Sequence, residues 1–174
     1  MTQRVNCASV DAPLAGRRLM LVFPDRLPFV APRRGRSTLA DNNFNLDNAI
    51  AQLDAAGPNS GGHCAQAIGL ALEAGGLDIS SRPLNAKAYG PFLISRGFAK
   101  IVEDAQYSPL KGDIVVIQNY ENGNPAGHIA MFDGSIWVSD FTQTDMWGGP
   151  GYRKNKPSHE IYRYSSAKKA EAAK

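Results

Sequence analysis

The sequence predicts an α+β fold in which early helices pack on an antiparallel sheet built from later strands. Two observations predict it. An Ala- and Leu-rich segment with helical spacing begins at Cys64, and the pair Gly75-Gly76 is typical of its C-terminus. The second half of the chain instead carries short β-branched runs such as Ile114–Ile117. Because 174 residues suit one domain with one core, we expect a single site.

Residues 1–40 are expected to form an irregular basic N-terminal arm, in which Arg18–Phe23 is a candidate strand. Seven arginines oppose two aspartates in the first 36 residues, a local net charge of +5. This charge could favour an anionic surface, or it could belong to a solvated arm with no partner. Nucleic-acid binding is not favoured, because the arm lacks interleaved aromatic residues and no nucleic-acid-binding motif follows it.

Three helices are expected after the arm. Asn45 or Asp47 can cap the first, which Gly57-Pro58 should end. A polar loop then opens into the second helix at Cys64, and the third should cover 86–96 with an interruption near Gly90-Pro91. In the second helix the apolar residues share the face of Cys64, so we expect a partly buried thiol.

The remaining strands follow in hairpin order. Ile114–Ile117 reads as the first, and residues 127–141 read as a hairpin that turns at Asp133-Gly134. Glu160–Tyr164 should form the last strand, after which residues 165–174 form a solvated tail. The domain proper is therefore expected to cover residues 41–164.

Cys64 is a candidate nucleophile because it begins a helix. Unpaired amides and the helix dipole at that end stabilise a thiolate, so we expect a lowered pKa. Gly61-Gly62 would allow close approach of a substrate, and the Cys64 amide could donate to an oxyanion. A small buried hydrophobic cysteine without chemistry is the alternative interpretation.

His128 is the candidate general base. It follows Gly127 and opens a strand, which would hold the imidazole at the margin of the sheet. If the hairpin loop has three residues or a bulge, Phe132 pairs with Ile136 and His128 lies opposite Asp140. We prefer this register, because it also places Ala130, Phe132, Ile136 and Val138 on one face. Asp140 would then orient the imidazole.

Several classes of site and segment are disfavoured. No apolar run approaches the roughly 20 residues of a membrane span, and residues 1–10 do not read as a cleaved signal. No Cys-x-x-Cys or His-x-x-x-His pair is present to begin a zinc site, and we expect no metal or other cofactor. A disulfide between Cys7 and Cys64 would stabilise little.

Three motifs in order resemble a known family. Gly-His-Cys-Ala at a helix start, Lys-Gly-Asp-Ile-Val-Val-Ile before and along a strand, and Gly-His-Ile-Ala-Met-Phe-Asp-Gly look like the NlpC and CHAP branches of papain-like cysteine peptidases. The resemblance covers roughly residues 59–164. The aspartate at position 140 is more similar to the amidase effectors of type VI secretion systems, whereas many NlpC members use histidine there.

This resemblance implies a hydrolase that cuts amide bonds in the stem peptides of peptidoglycan. Cys64 would be acylated, His128 would act as base and then as acid, and Asp140 would orient His128. It further implies a protein made in the cytoplasm without a cleaved signal and delivered to the periplasm or cell wall of a target bacterium. A producer of such a toxin should need an immunity protein that blocks the Cys64 cleft.

Five further residues are candidates for substrate contact. Asn59 and Ser60 could supply a second oxyanion donor, whereas Trp147 and Tyr152 could form a wall of the site. Arg153 could pair with a substrate carboxylate.

The alternatives to a secreted effector are a phage-type lysin of the same chemistry, a non-catalytic module that binds cell wall, and an acyltransferase using the same pair. A metallohydrolase using His63, His128 and Asp140 is the least favoured of them.

Overall fold

The structure is a computed structural model that describes residues 44–55 and 60–165, all within one compact unit. The expected arm, the Arg18–Phe23 strand, Gly57-Pro58 and residues 166–174 of the tail lie outside the described residues. The helices of the described part are α1 (Leu46–Leu53), α2 (Cys64–Ala74), α3 (Tyr89–Ser95) and α4 (Pro150–Asn155), with a 3-10 turn at Ala86–Ala88. The strands are β1 (Phe98–Ile101), β2 (Ile114–Ile117), β3 (His128–Phe132), β4 (Trp137–Val138), β5 (Thr142–Gln143) and β6 (His159–Tyr164).

These strands form one antiparallel sheet in the order β1-β6-β2-β3-β4-β5. The last strand of the described residues, β6, is thus inserted between β1 and β2. Helices α1 and α2 precede the whole sheet in sequence and α2 packs against β3. The expected α+β fold is confirmed.

The sheet is covered on both faces, which explains why β2 is apolar at every position. One face, carrying Ile129, Met131 and Val138, packs against the helices in the main core. The other face forms a second cluster that contains Ala130 and Trp137. Trp147 and Tyr152, from the segment around α4, pack against that second cluster.

The hairpin register preferred from the sequence is wrong. Phe132 pairs with Trp137, so the loop has four residues, and β4 ends at Val138, before Asp140 could pair with His128. The reason is local: the carboxylate of Asp133 accepts hydrogen bonds from the amides of Ser135 and Ile136 at 2.6 and 2.8 Å. This side-chain cap stabilises a longer loop than the Asp-Gly pair indicates.

The expected apolar stripe is corrected for the same reason. Ala130 and Phe132 belong to the second cluster, whereas Val138 faces the main core and Ile136 is 40% exposed in the loop.

Local sequence signals explain where α1 and α3 begin. Asn45 caps α1 by accepting a hydrogen bond from the Asn48 amide, as expected. The third helical segment is not broken by Gly90-Pro91 but begins there, because proline is tolerated in a first turn. Within the described residues, no helix is long and apolar enough to cross a membrane.

Candidate active site

Cys64 is the first residue of α2, and its thiol is free and only 8% exposed. Gly62 precedes it with φ +76°, a left-handed conformation that lets the polar loop turn into the helix. Three backbone amides interact with the sulfur, those of Cys64 and Ala65 and that of Ile129 in β3. The thiol therefore lies where the start of α2 meets the start of β3.

Burial raises the pKa of the Cys64 thiol, although the three amides act in the opposite direction. The expectation of a lowered pKa is therefore wrong for the protein without substrate. The negative charge of Asp140 raises the pKa further. Because the thiol form is favoured, a nucleophile at this position requires a base.

His128 begins β3, one residue before the amide that contacts the Cys64 sulfur. Its side chain is buried, with the rings of Tyr152 and Phe141 at centroid distances of 5.6 and 6.2 Å. Tyr152 also interacts electrostatically with Cys64, so one aromatic residue adjoins both groups. Burial lowers the pKa of His128, which favours the neutral imidazole that can accept a proton.

The hydrogen-bond partner of His128 is Gln143, a residue that the sequence reasoning missed. The Nε2 atoms of the two side chains lie 2.8 Å apart, and Gln143 Nε2 also donates to the Ser139 hydroxyl at 2.8 Å. Ser139 and Gln143 are buried. No sequence motif marks this pair, since Gln143 lies 15 residues beyond His128 and reaches it through a side-chain hydrogen bond.

Asp140 organises the loop before Cys64 instead of bonding to the imidazole. Its Oδ2 accepts hydrogen bonds from the amides of Gly61 and His63 at 2.8 and 3.0 Å and from the Ser60 hydroxyl at 3.3 Å. Burial alone would raise the pKa of Asp140, but these amides and the Ser139 hydroxyl together hold it below its ordinary value. Asp140 still acts on His128 at longer range, because its charge favours the imidazolium.

A pocket of about 190 Å³ opens beside Cys64. The start of α2 forms one side of it, and segments around Arg82 and Asn124 form the others. Its lining residues are Gly62, His63, Cys64, Ala65, Gln66, Arg82, Leu84, Ala86, Asn124 and Ala126.

The other expected substrate residues are distributed differently. Ser60 is exposed and bonded to Asp140, and Asn59 lies outside the described residues. Trp147 packs its ring on His159 at 4.9 Å, away from the lining of this pocket. Arg153 forms a bidentate ion pair with Asp145 at 2.6 and 3.2 Å, so its guanidinium is already occupied.

The side chains expected of a metallohydrolase do not converge. Among residues 44–55 and 60–165, no group of three or more His, Cys, Asp or Glu side chains could hold a metal ion.

Comparison with known proteins identifies the family. No protein-family model matches the sequence, and no curated protein does. The chain is 40% identical to a chain of the native type VI effector–immunity complex Tae3-Tai3 from Ralstonia pickettii, with a TM-score of 0.63 over 70% of this chain and 99% of that one. The selenomethionine form of the same complex gives 40% identity and a TM-score of 0.60, over 66% of this chain and 98% of that one.

This chain belongs to the Tae3 family of type VI effectors. The expected resemblance to type VI effectors is confirmed. The matches span nearly the whole length of the solved chains. The relation to NlpC and CHAP peptidases stays a prediction.

Proposed function

We propose that this Tae3-family chain is an antibacterial effector that hydrolyses amide bonds in peptidoglycan stem peptides, with Cys64 as nucleophile and His128 as base. One observation carries the proposal. The sulfur of Cys64 interacts with three backbone amides where α2 meets β3, and one of these amides belongs to Ile129, the residue directly after His128. Membership of the Tae3 family supports the antibacterial role.

In the proposed mechanism, His128 accepts the thiol proton as the sulfur attacks the scissile carbonyl. Nε2 of His128 is engaged by Gln143, which leaves Nδ1 as the accepting atom. Turning the Gln143 amide by 180° would let Oε1 accept from a protonated Nε2, and this arrangement fixes the tautomer that the base requires. Oε1 would also accept from the Ser139 hydroxyl once that hydroxyl turns away from Asp140 Oδ1, to which it now donates.

The backbone amide of Cys64 would donate a hydrogen bond to the oxyanion of the tetrahedral intermediate. The neighbouring amides of Gly61 and His63 are already bound to Asp140, and that of Gly62 to Ser60, so they are not free for this role. His128 then returns the proton to the departing amine, and the C–N bond breaks to leave an acyl-enzyme. Water, deprotonated by the same imidazole, releases the acyl group and restores the thiol.

We further propose that a specific immunity protein inhibits the enzyme by covering the pocket beside Cys64. The matched structures are effector–immunity complexes, which supports a partner of this kind. We also propose delivery to the periplasm or cell wall of a target bacterium, which the likeness to type VI effector–immunity complexes supports.

The decisive experiment is digestion of purified sacculi, with soluble muropeptides analysed by mass spectrometry. The wild-type protein should release products of new mass, and Cys64→Ala should lower the rate by at least about a thousandfold, since the covalent route is lost. Lys154→Gln, which changes an exposed lysine of α4, is the matched control and should retain full activity.

Two results would contradict this mechanism. Full release by a folded Cys64→Ala protein removes the thiol from the chemistry. Binding of wild-type protein to sacculi without product would indicate a wall-binding module.

A further inference from the structure

One arginine lies in the wall of the pocket beside Cys64, and the mechanism above does not use it. Arg82 lines this pocket together with the first turn of α2. Among the described residues that line the pocket, it is the one side chain with a permanent charge, and none of them is a carboxylate. A pocket with this charge favours an anionic group.

The side chain of Arg82 is held against α2 by a specific contact at Gly69. A Cβ atom added to Gly69 would lie 2.7 Å from Cδ and 3.1 Å from Nε of Arg82, so only glycine lets the arginine pack this closely. The guanidinium also acts on the Tyr89 hydroxyl, whose pKa burial raises and the guanidinium lowers, and that hydroxyl donates to the carbonyl of Ala65 in the first turn of α2. Arg82 is thereby connected to the turn that carries the nucleophile.

The loop that bears Arg82 is fixed on its other side. The amide of Arg82 donates to the Ile79 carbonyl at 3.0 Å. Arg96 donates to the Asp78 carbonyl at 2.6 Å and to the Ser81 hydroxyl at 2.9 Å, which clamps the loop to the end of α3. A guanidinium placed in this way loses little conformational entropy when it binds a ligand.

Arg82 also differs from the other described arginines in its partners. Arg96, Arg153 and Arg163 each pair with an aspartate. Arg82 has no such carboxylate within residues 44–55 and 60–165, and Asp78 on its own loop is taken by Arg96. Some of the N–H donors of its guanidinium are therefore free to bind a ligand. A carboxylate matches the planar arrangement of these donors.

We propose that Arg82 forms a carboxylate-binding subsite beside Cys64, which recognises a free carboxylate on the substrate residue that flanks the scissile amide. The inference rests on the proposed hydrolase function and names what that site selects. It replaces Arg153, whose guanidinium is occupied by Asp145. The subsite would distinguish stem peptides that carry a free acid from those in which the same acid is amidated.

The test uses synthetic stem peptides in which each carboxyl group is replaced, one at a time, by a carboxamide. The wild-type protein should cleave the free acid about 10- to 100-fold better in kcat/KM than one of the amidated forms, because a charge-assisted pair is replaced by a neutral contact. Arg82→Gln should lose this preference and cleave the free acid with the lowered kcat/KM of the amidated peptide, chiefly through a higher KM.

Two further variants keep the test sharp if Arg82→Gln folds poorly. Arg82→Lys retains the charge but not the fork and should keep only part of the preference. Gly69→Ala should weaken the preference by displacing Arg82 from α2. Lys154→Gln removes the same charge outside the pocket and should leave the preference unchanged.

The possible failures separate the two proposals. Cleavage by wild type with no preference between acid and amide, or an undiminished preference in folded Arg82→Gln, overturns the subsite and leaves the hydrolase intact. A folded wild-type protein that releases nothing from any peptide overturns the hydrolase and the subsite together.

Discussion

At the scale of single residues, burial controls the chemistry of the candidate pair. Cys64 is 8% exposed and His128 is 6% exposed. Removal from water disfavours charge on both groups, so it raises the pKa of the thiol and lowers the pKa of the imidazole. Burial therefore favours the neutral thiol and the neutral imidazole at rest, and in the proposed mechanism proton transfer accompanies attack on the substrate.

The pH dependence of activity follows from these directions. Protonation of His128 removes the base, and its pKa lies below the ordinary imidazole value of about 6.5. The acidic limb of kcat/KM should consequently have its midpoint below pH 6.5.

The reactivity of the thiol gives a second pH test. Alkylation of Cys64 by iodoacetamide in His128→Ala should be slow at neutral pH and accelerate only above the ordinary thiol pKa. Kinetics from pH 4 to 10 measure both, and a midpoint above 6.5 would contradict the assignment.

Gln143 is a positioning residue that acts through His128. Gln143→Leu keeps the side-chain volume but removes the hydrogen bond at 2.8 Å. We expect kcat to fall about tenfold or more, with the roughly 10²–10⁴-fold contribution of general base catalysis as the upper limit, while KM changes little. Gln143→Glu is the informative partner variant, because a carboxylate would raise the pKa of the imidazole and move the acidic limb to higher pH. An unchanged limb in folded Gln143→Glu argues against contact between the two side chains.

At the scale of elements, the site is assembled by loops that flank short strands. Asp140 follows β4 and binds the segment before α2 through the amides of Gly61 and His63. Gln143 lies in β5 and binds the first residue of β3. The loop before Cys64 and the imidazole of His128 are thus both held by side chains from the 15 residues that follow His128, which end at Gln143.

The glycine-rich segment before α4 closes the site behind the imidazole. Gly148 has φ +69°, and a Cβ atom there would overlap Nε2 of His128, whereas Gly149 has no atom within 4 Å of such a position. Gly148→Ala should displace the ring and lower kcat about tenfold or more, since misplacement of a reacting group by about 1 Å can cost about 100-fold. Gly149→Ala is the matched control and should retain activity. Equal activity in the two variants, measured on sacculi, would show that the segment does not restrain His128.

The parts that could be predicted from the sequence are those fixed by local signals. Cys64 was recognisable from its glycine-flanked helix start, and β2 from its β-branched run. The pairing register of β3 and β4 could not be predicted, because the hydrogen bonds to the Asp133 carboxylate compete with a two-residue Asp-Gly turn. Gln143 and Arg82 had no signal, since each acts through contacts between segments distant in sequence. Strand β5, with two residues, and α4, with six, are too short for periodicity to indicate them.

At the scale of the whole molecule, the sheet depends on a strand from the end of the described chain. β6 pairs with β1 on one side and β2 on the other, so the sheet is incomplete until β6 is in place. An ion pair with a buried carboxylate and a partly exposed guanidinium reinforces this closure. Asp113, fully buried just before β2, accepts two hydrogen bonds from Arg163 of β6 at 2.6 and 2.7 Å.

Removal of Arg163 should therefore lower the stability far more than removal of Lys100, which forms an exposed ion pair with Glu160 of the same strand, β6. Arg163→Leu leaves the Asp113 carboxylate buried without its cation, and we expect a loss of about 3 kcal/mol in the free energy of unfolding. Lys100→Leu breaks an exposed pair with Glu160 and should cost less than about 1 kcal/mol. Asp113→Asn combined with Arg163→Leu should recover part of the loss, because it removes the uncompensated charge. Urea denaturation measures all three, and equal losses for the two single variants would mean that β6 is held by apolar packing alone.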